Sequence, residues 1–570
     1  MPIYRRGTHV PFENLREMLR LSAKQYGDRI AFVQKKEGVD KAYTYRKFRC
    51  DVNELGTGLL KRGFLGKKIM LIGDNRYMWG VSYMAVICGL GVIVPIDPSF
   101  SPNAVAEIAK FCSADAVIYS EDCKEKLAML DEKTVTVSFD EARDILREGR
   151  ALMDRGDTSY KKLPIDKTEM CEILFTSGTE GSPKGVMLSH ENFCSNIRDL
   201  GKMITMKKDD IVLALLPMHQ AYQCTCGFLF PLMCGARVVF CDTFKYLIKN
   251  MQEYHPTIVF GVPPLLESIY KKIWNNIRRN GDEEEVRRDI QLTNALYPAS
   301  TRAAVKHRVF SDIHKSFGDE LRLFVVQGSH ISSEIMKGMR DLGFLTIQSY
   351  GLTECSPIVA INREKRFRDA SVGLALPSGV VDIYDVGDNG IGEIRYKGDN
   401  VMLGYYNMPE LTAETKRGSW IYTGDLGYID KNGFIYITGR KKNIIVSSSG
   451  KKILPDELES YLSRNRFIGE SVVVGMVNPK KKDYDIVAVV RPNISALKEA
   501  LGDDCTKEQI ERELIAALRQ INSSVPFYKR IDTYIIYDKE FPKNSARKIQ
   551  RDVLRQDISD AYKKKIGLID

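Results

Sequence analysis

The chain has 570 residues, of which 44% are hydrophobic and 28% are charged, and its formal net charge is +10. This length predicts two or more domains, and the composition excludes a disordered, fibrous or collagen-like protein. No apolar run approaches the ~20 residues needed to cross a bilayer. The amino-terminal segment also lacks the apolar core of a signal peptide, so we expect a cytoplasmic location.

Cysteine and histidine usage points away from disulfides and structural metal. The twelve cysteines and seven histidines lack the spacing of a disulfide framework, a zinc finger or an HExxH site. We therefore expect reduced, mostly buried thiols and no structural zinc. The positive net charge suits anionic small ligands, whereas no basic stripe interleaved with aromatic residues predicts nucleic-acid binding.

The amino-terminal part alternates between strand-like and helix-like segments. Helical apolar spacing predicts a first helix at Asn14–Tyr26. Further helices are predicted at Met84–Leu90 and Asn103–Cys112, and strands at Lys68–Gly73, Gly91–Ile96, Ala116–Tyr119, Val212–Leu216, Ala236–Phe240 and Thr257–Phe260. This rhythm predicts an α/β domain built on mostly parallel β-sheet with helices on both faces.

The pattern changes after Pro377, where a small antiparallel β part is predicted. Strands at Val381–Tyr384 and Glu393–Tyr396 flank the turn Gly387–Gly390. The basic segment Gly439–Asn443 is then predicted as a linker. We accordingly expect a large amino-terminal domain over residues 1–439 and a small α+β domain over residues 440–570.

The most informative segment is Phe175–His190, which reads FTSGTEGSPKGVMLSH after an apolar strand. Its glycines, hydroxyl groups and lysine are typical of a loop that wraps a phosphate. Pro183 precedes Lys184 and Gly185 follows it, which excludes a Walker A loop at two defining positions. A surface turn rich in glycine and serine is the alternative interpretation.

Three further segments give this loop a context. They read QSYGLTECSP at 348–357, WIYTGDLG at 420–427 leading into GRKKN at 439–443, and FPKNSARKI at 541–549. In this order the four segments resemble the adenylate-forming, AMP-binding superfamily, and the chain looks most like its long-chain fatty acyl-CoA synthetases. The resemblance covers almost the whole chain. It implies attack of a carboxylate on the α-phosphorus of ATP, loss of pyrophosphate, and transfer of the acyl group to the CoA thiol.

The resemblance also assigns the ATP and Mg²⁺ contacts. It places Thr176, Ser177, Gly178, Thr179 and Lys184 on the β- and γ-phosphates, Tyr350 and Gly351 on adenine, Thr353 on the α-phosphate, and Glu354 with Thr176 on Mg²⁺. A looser match puts Gly328 and Ser329 in the turn that contacts adenine. A core tyrosine and an exposed acid at a helix start are the alternatives for Tyr350 and Glu354.

Other positions are assigned by the same resemblance to the ribose, the acceptor and the substrate acid. Asp425 is assigned to the ribose hydroxyls, Arg440 to the ribose or phosphate, Lys442 to the hinge, Gly450 to the CoA path, and His219 to the border of the carboxylate site. The alternatives are an aspartate in an ordinary turn, a basic surface linker, which we prefer for Lys441, a turn between strand and helix at Gly450, and a satisfied core or surface histidine.

Lys548 matches the lysine that bridges the carboxylate and the α-phosphate during adenylation. The preceding loop departs from the family pattern, since Asn544, Ala546 and Arg547 replace the usual threonine, serine and glycine. This departure leaves Lys543 and Arg547 as competitors for the role.

Several functional alternatives stay open at this level. The acceptor is CoA or an acyl carrier protein, the acid is a fatty acid or another carboxylate, and a non-catalytic relative that binds nucleotide or acyl groups is a third option. Ile269, Ile273 and Ile277 form an apolar stripe among basic residues. That stripe suits either a peripheral membrane contact or, as we prefer, packing on the core. The oligomeric state is not predicted.

Overall fold

The computed structural model describes residues 11–36, 38–176, 184–241, 246–328, 331–446, 451–481, 483–543 and 549–568, without the side chains of residues 299 and 300. The chain divides into two compact units. The first comprises Met1–Asp382, Arg395–Tyr422 and Lys431–Ile435, and the second comprises Ile383–Ile394, Thr423–Asp430 and Tyr436–Asp570. The domain boundary at Arg440 stays a prediction.

The strands of the described residues have the following bounds. They are β1 (Ile30–Lys36), β2 (Val39–Thr44), β3 (Lys67–Ile72), β4 (Gly91–Ile96), β5 (Ala116–Tyr119), β6 (Val135–Ser138), β7 (Met170–Thr176), β8 (Lys184–Ser189), β9 (Ile211–Ala214), β10 (Arg237–Phe240), β11 (Ile258–Gly261), β12 (Leu323–Gln327), β13 (Thr346–Gly351), β14 (Ile358–Ile361), β15 (Leu374–Ala375), β16 (Val380–Tyr384), β17 (Gly392–Lys397), β18 (Gly404–Tyr405), β19 (Lys416–Arg417), β20 (Trp420–Ile429), β21 (Ile435–Arg440), β22 (Ile445–Val446), β23 (Lys452–Ile453), β24 (Ile468–Asn478), β25 (Asp483–Pro492) and β26 (Thr533–Ile536).

The α-helices of the same residues are bounded as follows. They are α1 (Leu15–Tyr26), α2 (Tyr45–Lys61), α3 (Tyr77–Ile87), α4 (Pro102–Cys112), α5 (Phe139–Asp154), α6 (His190–Met203), α7 (Phe230–Cys234), α8 (Leu247–Tyr254), α9 (Pro263–Asn280), α10 (Glu283–Leu296), α11 (Ala299–Val309), α12 (Ser311–Lys315), α13 (Ser333–Asp341), α14 (Pro409–Thr415), α15 (Pro455–Leu462), α16 (Ile494–Leu501), α17 (Lys507–Ser524), α18 (Arg551–Asp557) and α19 (Ser559–Lys565).

Two mostly parallel sheets form the frame of the first unit. Within the described ranges, one sheet has nine strands in the order β15-β14-β13-β12-β11-β9-β10-β1-β2, and the other has seven in the order β18-β8-β7-β4-β3-β5-β6. The strands from β13 to β1 pair in parallel, as do β6, β5, β3, β4 and β7. Antiparallel strands close both edges of the nine-stranded sheet and the edge of the seven-stranded sheet formed by β8 and β18. This architecture confirms the predicted fold class.

A third sheet has the order β16-β17-β20-β19, with β21 paired to β20, among the strands given above. Strand β21 extends to Arg440, so Gly439 and Arg440 belong to a strand rather than to the predicted linker. Lys441–Asn443 follow as one turn of 3₁₀-helix. The wrong prediction arose because a glycine and three basic residues are typical of linkers, although here Gly439 and Arg440 end a strand that pairs with β20, the strand just before it in the chain.

The second unit contains a small sheet of order β24-β25-β26. Alternate residues of β24 belong to different cores, because successive side chains of a strand point to opposite faces. Val473 packs with residues of α15 and α17, whereas Val472 and Val474 pack with residues of α18 and α19. Apolar layers on both faces explain the run of three valines at 472–474.

Local sequence signals explain several helix starts. Asn14 caps α1 by accepting a hydrogen bond from the Glu17 amide. Reciprocal capping boxes begin α5 at Ser138 and α17 at Thr506. Each cap satisfies amide groups that would otherwise lack a partner in the first turn.

The apolar stripe of α9 is part of a core. Ile269, Ile273 and Ile277 are all buried in a cluster that includes Trp274. Packing on the core, the interpretation preferred from sequence, is therefore confirmed for these three isoleucines. Their buried side chains offer no surface for a membrane. No helix within the described residues is long and apolar enough to span a bilayer.

Candidate active site

The predicted phosphate loop connects two antiparallel neighbours. Thr176 at the end of β7 lies directly across from Lys184 at the start of β8. Both residues are half-buried. Ser177, Gly178 and Thr179 lie outside the described residues. The anchors of the loop are therefore a hydroxyl and an amine that face each other across one sheet position.

A tyrosine links Lys184 to Glu354. The Lys184 amine lies 5.9 Å from the centroid of the Tyr405 ring. The Tyr405 hydroxyl donates a 2.7 Å hydrogen bond to Glu354 Oε1. Burial raises the pKa of the Tyr405 phenol, and the neighbouring Glu354 carboxylate adds to the shift, so the phenol remains a donor. Lys184 and Glu354, predicted from separate segments, are thus brought to the same tyrosine.

Strand pairing explains why Tyr405 reaches this place. Tyr405 on β18 pairs with Val186 on β8, two residues after Lys184. The Met402 amide donates to the Glu354 carbonyl oxygen at 2.8 Å. The segment before β18 therefore holds Glu354 through its backbone, and Tyr405 holds it through its carboxylate.

Two asparagines fix the turn that carries Glu354. The side-chain amide nitrogens of Asn196 and Asn400 each donate to the carbonyl oxygens of Cys355 and Ile358. Both asparagines are fully buried. These buried side-chain amides therefore supply hydrogen bonds to the carbonyl groups of the turn and restrain it.

The residues assigned to adenine and the α-phosphate lie at the end of β13 and just after it. Tyr350 is 5% exposed, and Thr353 is half-buried in the short 3₁₀ turn with Glu354. A side chain at Gly351 would place its Cβ 1.7 Å from the Pro357 carbonyl oxygen. The protein's own backbone therefore requires glycine at this position.

The second adenine segment follows β12. A Cβ at Gly328 would lie 2.5 Å from Pro263 Cδ, so glycine is required there by packing as well. The preceding Gln327 has a buried Oε1 atom without a hydrogen-bond partner in the described part of the chain. Such an acceptor suits an amino group of a ligand. Ser329 lies outside the described residues.

His219 is buried beside an acid. Its Nε2 atom lies 3.6 Å from Asp97 Oδ2, beyond hydrogen-bond distance, and has no hydrogen-bond partner in the described ranges. Asp97 follows β4 and accepts a hydrogen bond from the Ser99 amide. An unpartnered imidazole nitrogen is able to hydrogen-bond a substrate carboxylate.

In the second unit, the two residues assigned to the ribose contact each other. Arg440 Nε lies 2.8 Å from Asp425 Oδ1, and Asp425 is 5% exposed. Lys441 is exposed and pairs with the buried Glu393 at 2.9 Å, so it lies at the surface, as the preferred interpretation expects. Lys442 is exposed in the 3₁₀ turn that follows.

The remaining assignments concern the carboxyl-terminal segments. Gly450 and Lys548 lie outside the described residues. Lys543, one of the competitors of Lys548, is largely buried and pairs with Glu470 at 2.7 Å. Lys543 and Ile549 form an isolated antiparallel bridge at the two ends of the 544–548 segment.

Glu354 and Thr176, which the resemblance assigns to Mg²⁺, carry oxygen donors of the kind that this ion prefers. No group of three or more His, Cys, Asp or Glu side chains in the described ranges is arranged to hold a metal. Glu354 Oε2 and the Thr176 hydroxyl would leave most coordination positions to phosphate oxygens and water. This is the usual coordination of Mg²⁺ at nucleotide sites.

Sequence comparison identifies relatives along nearly the whole chain. A long-chain-fatty-acid–CoA ligase 5 from Rattus norvegicus is 28% identical over 83% of this chain and 76% of its own length. Long-chain-fatty-acid–CoA ligase FadD15 from Mycobacterium bovis is 24% identical over 97% of both chains. A chloroplastic long-chain-fatty-acid–[acyl-carrier-protein] ligase, AEE15 of Arabidopsis thaliana, is 26% identical over 96% of this chain and 86% of its own.

Solved structures share the fold. ATP-bound MatB from Rhodopseudomonas palustris has a TM-score of 0.75 and 21% identity, over 96% of this chain and all of its own. A Mycobacterium tuberculosis fatty acyl CoA synthetase has a TM-score of 0.67 and 21% identity, over 96% and 99%. The family model for AMP-binding enzymes matches residues 19–406, and the model for their carboxyl-terminal domain matches residues 442–569. The chain therefore belongs to the AMP-binding, adenylate-forming enzyme family.

Proposed function

We propose that this enzyme joins a medium- to long-chain fatty acid to CoA through an acyl-adenylate, using ATP and releasing AMP and pyrophosphate. The observation that carries the proposal is the link from Lys184 through Tyr405 to Glu354 beside the anchors of the phosphate loop. It brings a cation for phosphate and a carboxylate for Mg²⁺ into one site.

The first step needs such an arrangement because two anions must approach each other. A unit-charge pair ~4 Å apart repels by about 4 kcal/mol near a protein surface. Lys184 offsets part of this repulsion at the β- and γ-phosphates, and Lys548 does so at the α-phosphate. Bound Mg²⁺ would neutralise further phosphate charge, and Glu354 and Thr176 would hold it.

The other described residues orient the two substrates. Asp425, held by Arg440, accepts hydrogen bonds from the ribose hydroxyls, and Gln327 accepts one from adenine. His219 hydrogen-bonds the substrate carboxylate near the phosphorus. Fixing an acid and a nucleotide in line contributes about 7–11 kcal/mol toward lowering the barrier when the geometry is good.

CoA as acceptor is supported by an exposed aromatic and basic surface on the second unit. Phe527 is 82% exposed, and the Arg530 guanidinium lies 5.4 Å from its ring centroid. Lys451 and Lys529 lie within 6 Å of the neighbouring Tyr528 ring centroid. An exposed aromatic ring with cations nearby suits a nucleotide, whose base stacks on the ring and whose phosphates contact the cations. Base–aromatic stacking is worth about 1–3 kcal/mol.

The second candidate keeps the adenylation step and transfers the acyl group to a carrier protein. It is supported by the similarity to AEE15, whose name gives that acceptor. Phe527→Ala separates the two candidates. If CoA is the acceptor, we expect the KM for CoA to rise about tenfold while acyl-hydroxamate formation is unchanged. Tyr484→Ala, at another exposed aromatic of the same unit, is the matched control.

The proposal is tested by measuring AMP release with saturated fatty acids of 8–18 carbons and with aryl and dicarboxylic acids, each with and without CoA. We expect AMP release that depends on CoA and on a fatty acid. Lys184→Ala should lower the rate at least tenfold, whereas the exposed Lys167→Ala should not.

Other outcomes lead to different conclusions. Acyl-hydroxamate formation without CoA turnover supports the carrier-protein candidate. Selectivity for aryl or dicarboxylic acids contradicts a fatty-acid substrate. Nucleotide binding without AMP release from any acid contradicts catalysis altogether.

A further inference from the structure

A basic pocket of about 470 Å³ lies between α1 and α2 in the first unit. Its lining residues on α1 recur at helical spacing, as do those on α2, so each helix presents one face to it. The lining residues are Arg20, Ala23 and Lys24 of α1, Arg46, Arg49, Cys50 and Asn53 of α2, Met153 of α5, and Lys161. Five of these nine are cations, and none is an acid.

Nearby carboxylates compensate only part of this charge. Glu17 lies 3.6 Å from Arg20, and Asp28 lies 2.9 Å from Arg46. Lys24, Arg49 and Lys161 have no carboxylate within 4.0 Å among the described residues. Charges on the neighbouring faces pair elsewhere, since Lys47 contacts Asp51 and Arg150 of α5 contacts Glu54. Three like charges thus face one cavity without a counter-ion.

The pocket and the candidate active site lie at opposite ends of the parallel strands. Strand β1 begins just after α1, and its first residue pairs with Thr44, which immediately precedes α2. Both helices therefore reach the pocket near the amino-terminal edge of the parallel strands. Glu354 follows the carboxyl end of β13, and β1 to β13 are linked by parallel pairs only. The two sites are distinct.

The chemistry of the lining defines the ligand. Three of the five cations are arginines, whose planar guanidinium groups bind phosphate through two hydrogen bonds. The volume is in the range of pockets that hold small molecules. We propose that this pocket binds a ligand carrying two or more phosphate groups, separately from the ATP of the proposed reaction. Ala23 and Met153 offer apolar contact for the body of such a ligand.

The pocket contains its own reporter. Cys50 is exposed, Cys241 and Cys505 are half-buried, and the other nine cysteines are buried. Neutral N-ethylmaleimide should therefore alkylate Cys50 first. With inorganic tripolyphosphate at matched ionic strength, we expect alkylation of the Cys50 peptide to slow at least fivefold, as measured by mass spectrometry, with no change at Cys505.

Variants separate this site from the active site. Arg49→Ala should abolish the protection of Cys50, whereas Lys184→Ala, which weakens phosphate binding at the candidate active site, should retain it. The exposed Arg147→Ala, on α5 and outside the pocket lining, is the matched surface control. Equal protection in wild type and Arg49→Ala would overturn the assignment.

A second arm distinguishes the source of the phosphates. Vesicles containing phosphatidylinositol 4,5-bisphosphate replace tripolyphosphate, with phosphatidylcholine vesicles as control. Protection by tripolyphosphate supports a soluble ligand, and protection by the bisphosphate vesicles alone supports a lipid headgroup. Protection by neither overturns the proposal.

Discussion

At the residue scale, Tyr405 is a member of the candidate site that the sequence did not reveal. Lys184 and Glu354 were predicted because each stands in a recognisable motif. Tyr405 was missed because its neighbours give it no chemical signature, and its place depends on the pairing of β18 with β8. Long-range pairing is not encoded in local periodicity.

Removing the Tyr405 hydroxyl tests its contact with Glu354. We expect Tyr405→Phe to lower kcat about tenfold and to raise the Mg²⁺ concentration needed for half-maximal rate. The reason is that a carboxylate loses a hydrogen bond worth about 1.5–3 kcal/mol. Steady-state kinetics over a range of Mg²⁺ concentrations measures both effects.

Tyr406→Phe is the matched control, because the Tyr406 hydroxyl has no hydrogen-bond partner within the described residues. It should leave both parameters unchanged. A Tyr405→Phe enzyme with wild-type Mg²⁺ dependence would show that the tyrosine only fills space.

The buried acid Glu172 makes the stability of the fold depend on pH. Glu172 on β7 is 1% exposed and accepts a 2.7 Å hydrogen bond from the Tyr83 hydroxyl. Burial raises the pKa of Glu172 to about 8. The native state therefore keeps a proton that the unfolded chain loses near its ordinary pKa of about 4.5. Unfolding then releases a proton, so stability falls as pH rises toward 8.

Glu172→Gln mimics the neutral acid and should remove this dependence. Between pH 6.5 and 8 the free energy of unfolding of the wild type should fall relative to the variant by up to about 1.4 kcal/mol per pH unit. Buried His190 and His314, whose pKa values are lowered to about 4, contribute below this window with the opposite sign. Melting temperatures across the window provide the measurement.

Glu148→Gln, at an exposed acid of α5, is the control and should follow the wild type. Parallel curves for wild type and Glu172→Gln would mean that Glu172 is ionised in the folded protein.

At the scale of elements, α2 and α5 pack closely because two glycines lie between them. A Cβ at Gly149 of α5 would lie 1.8 Å from the Glu54 carbonyl oxygen, and one at Gly58 of α2 would lie 2.3 Å from that of Ile145. Backbone atoms cannot yield as side chains do. The two helices would therefore have to separate to accept a methyl group.

We expect Gly149→Ala to destabilise the protein by about 1–3 kcal/mol through overpacking, despite the better helix propensity of alanine. Thermal unfolding measures the effect. Arg147→Ala, two residues away and exposed, should be neutral or slightly stabilising. A melting temperature equal to wild type for Gly149→Ala would contradict the close packing.

Sequence reasoning was most successful where one element has one strong pattern. The prediction of Asn14–Tyr26 became α1 with Asn14 as its cap, and Lys68–Gly73 became β3 within one residue. Met84–Leu90 was wrong in extent, because α3 is buried throughout and starts at Tyr77. A helix that is apolar on every side offers no periodic face to mark its ends. No local sequence pattern indicated that the parallel strands form two separate sheets.

At the scale of the whole molecule, the proposed reaction requires both units. Lys548 is assigned to adenylation by resemblance, while Lys543, held by Glu470, is poorly suited to replace it. We expect Lys548→Ala to reduce acyl-adenylate formation at least 100-fold, by analogy with loss of a charge-stabilising group. Thioester formation from supplied acyl-AMP should continue. Pyrophosphate exchange and CoA-thiol consumption measure the two half-reactions separately.

The exposed Lys539→Ala is the control for a charge change in the same segment. Equal loss of both half-reactions in Lys548→Ala would contradict a role confined to adenylation, and full retention of both would assign the chemistry to another cation.

The double clamp of Asn196 and Asn400 on one turn has a consequence for protein engineering. If only residues 353–358 are replaced by the equivalent segment of a relative, the new carbonyl groups face the Asn196 and Asn400 amides of the original chain. Those amides are positioned for the original turn. A chimera that also carries α6 and 400–405 from the same donor keeps the three pieces matched. The turn that carries Glu354 therefore depends on segments that are distant in sequence, and a chimera should exchange all of them together.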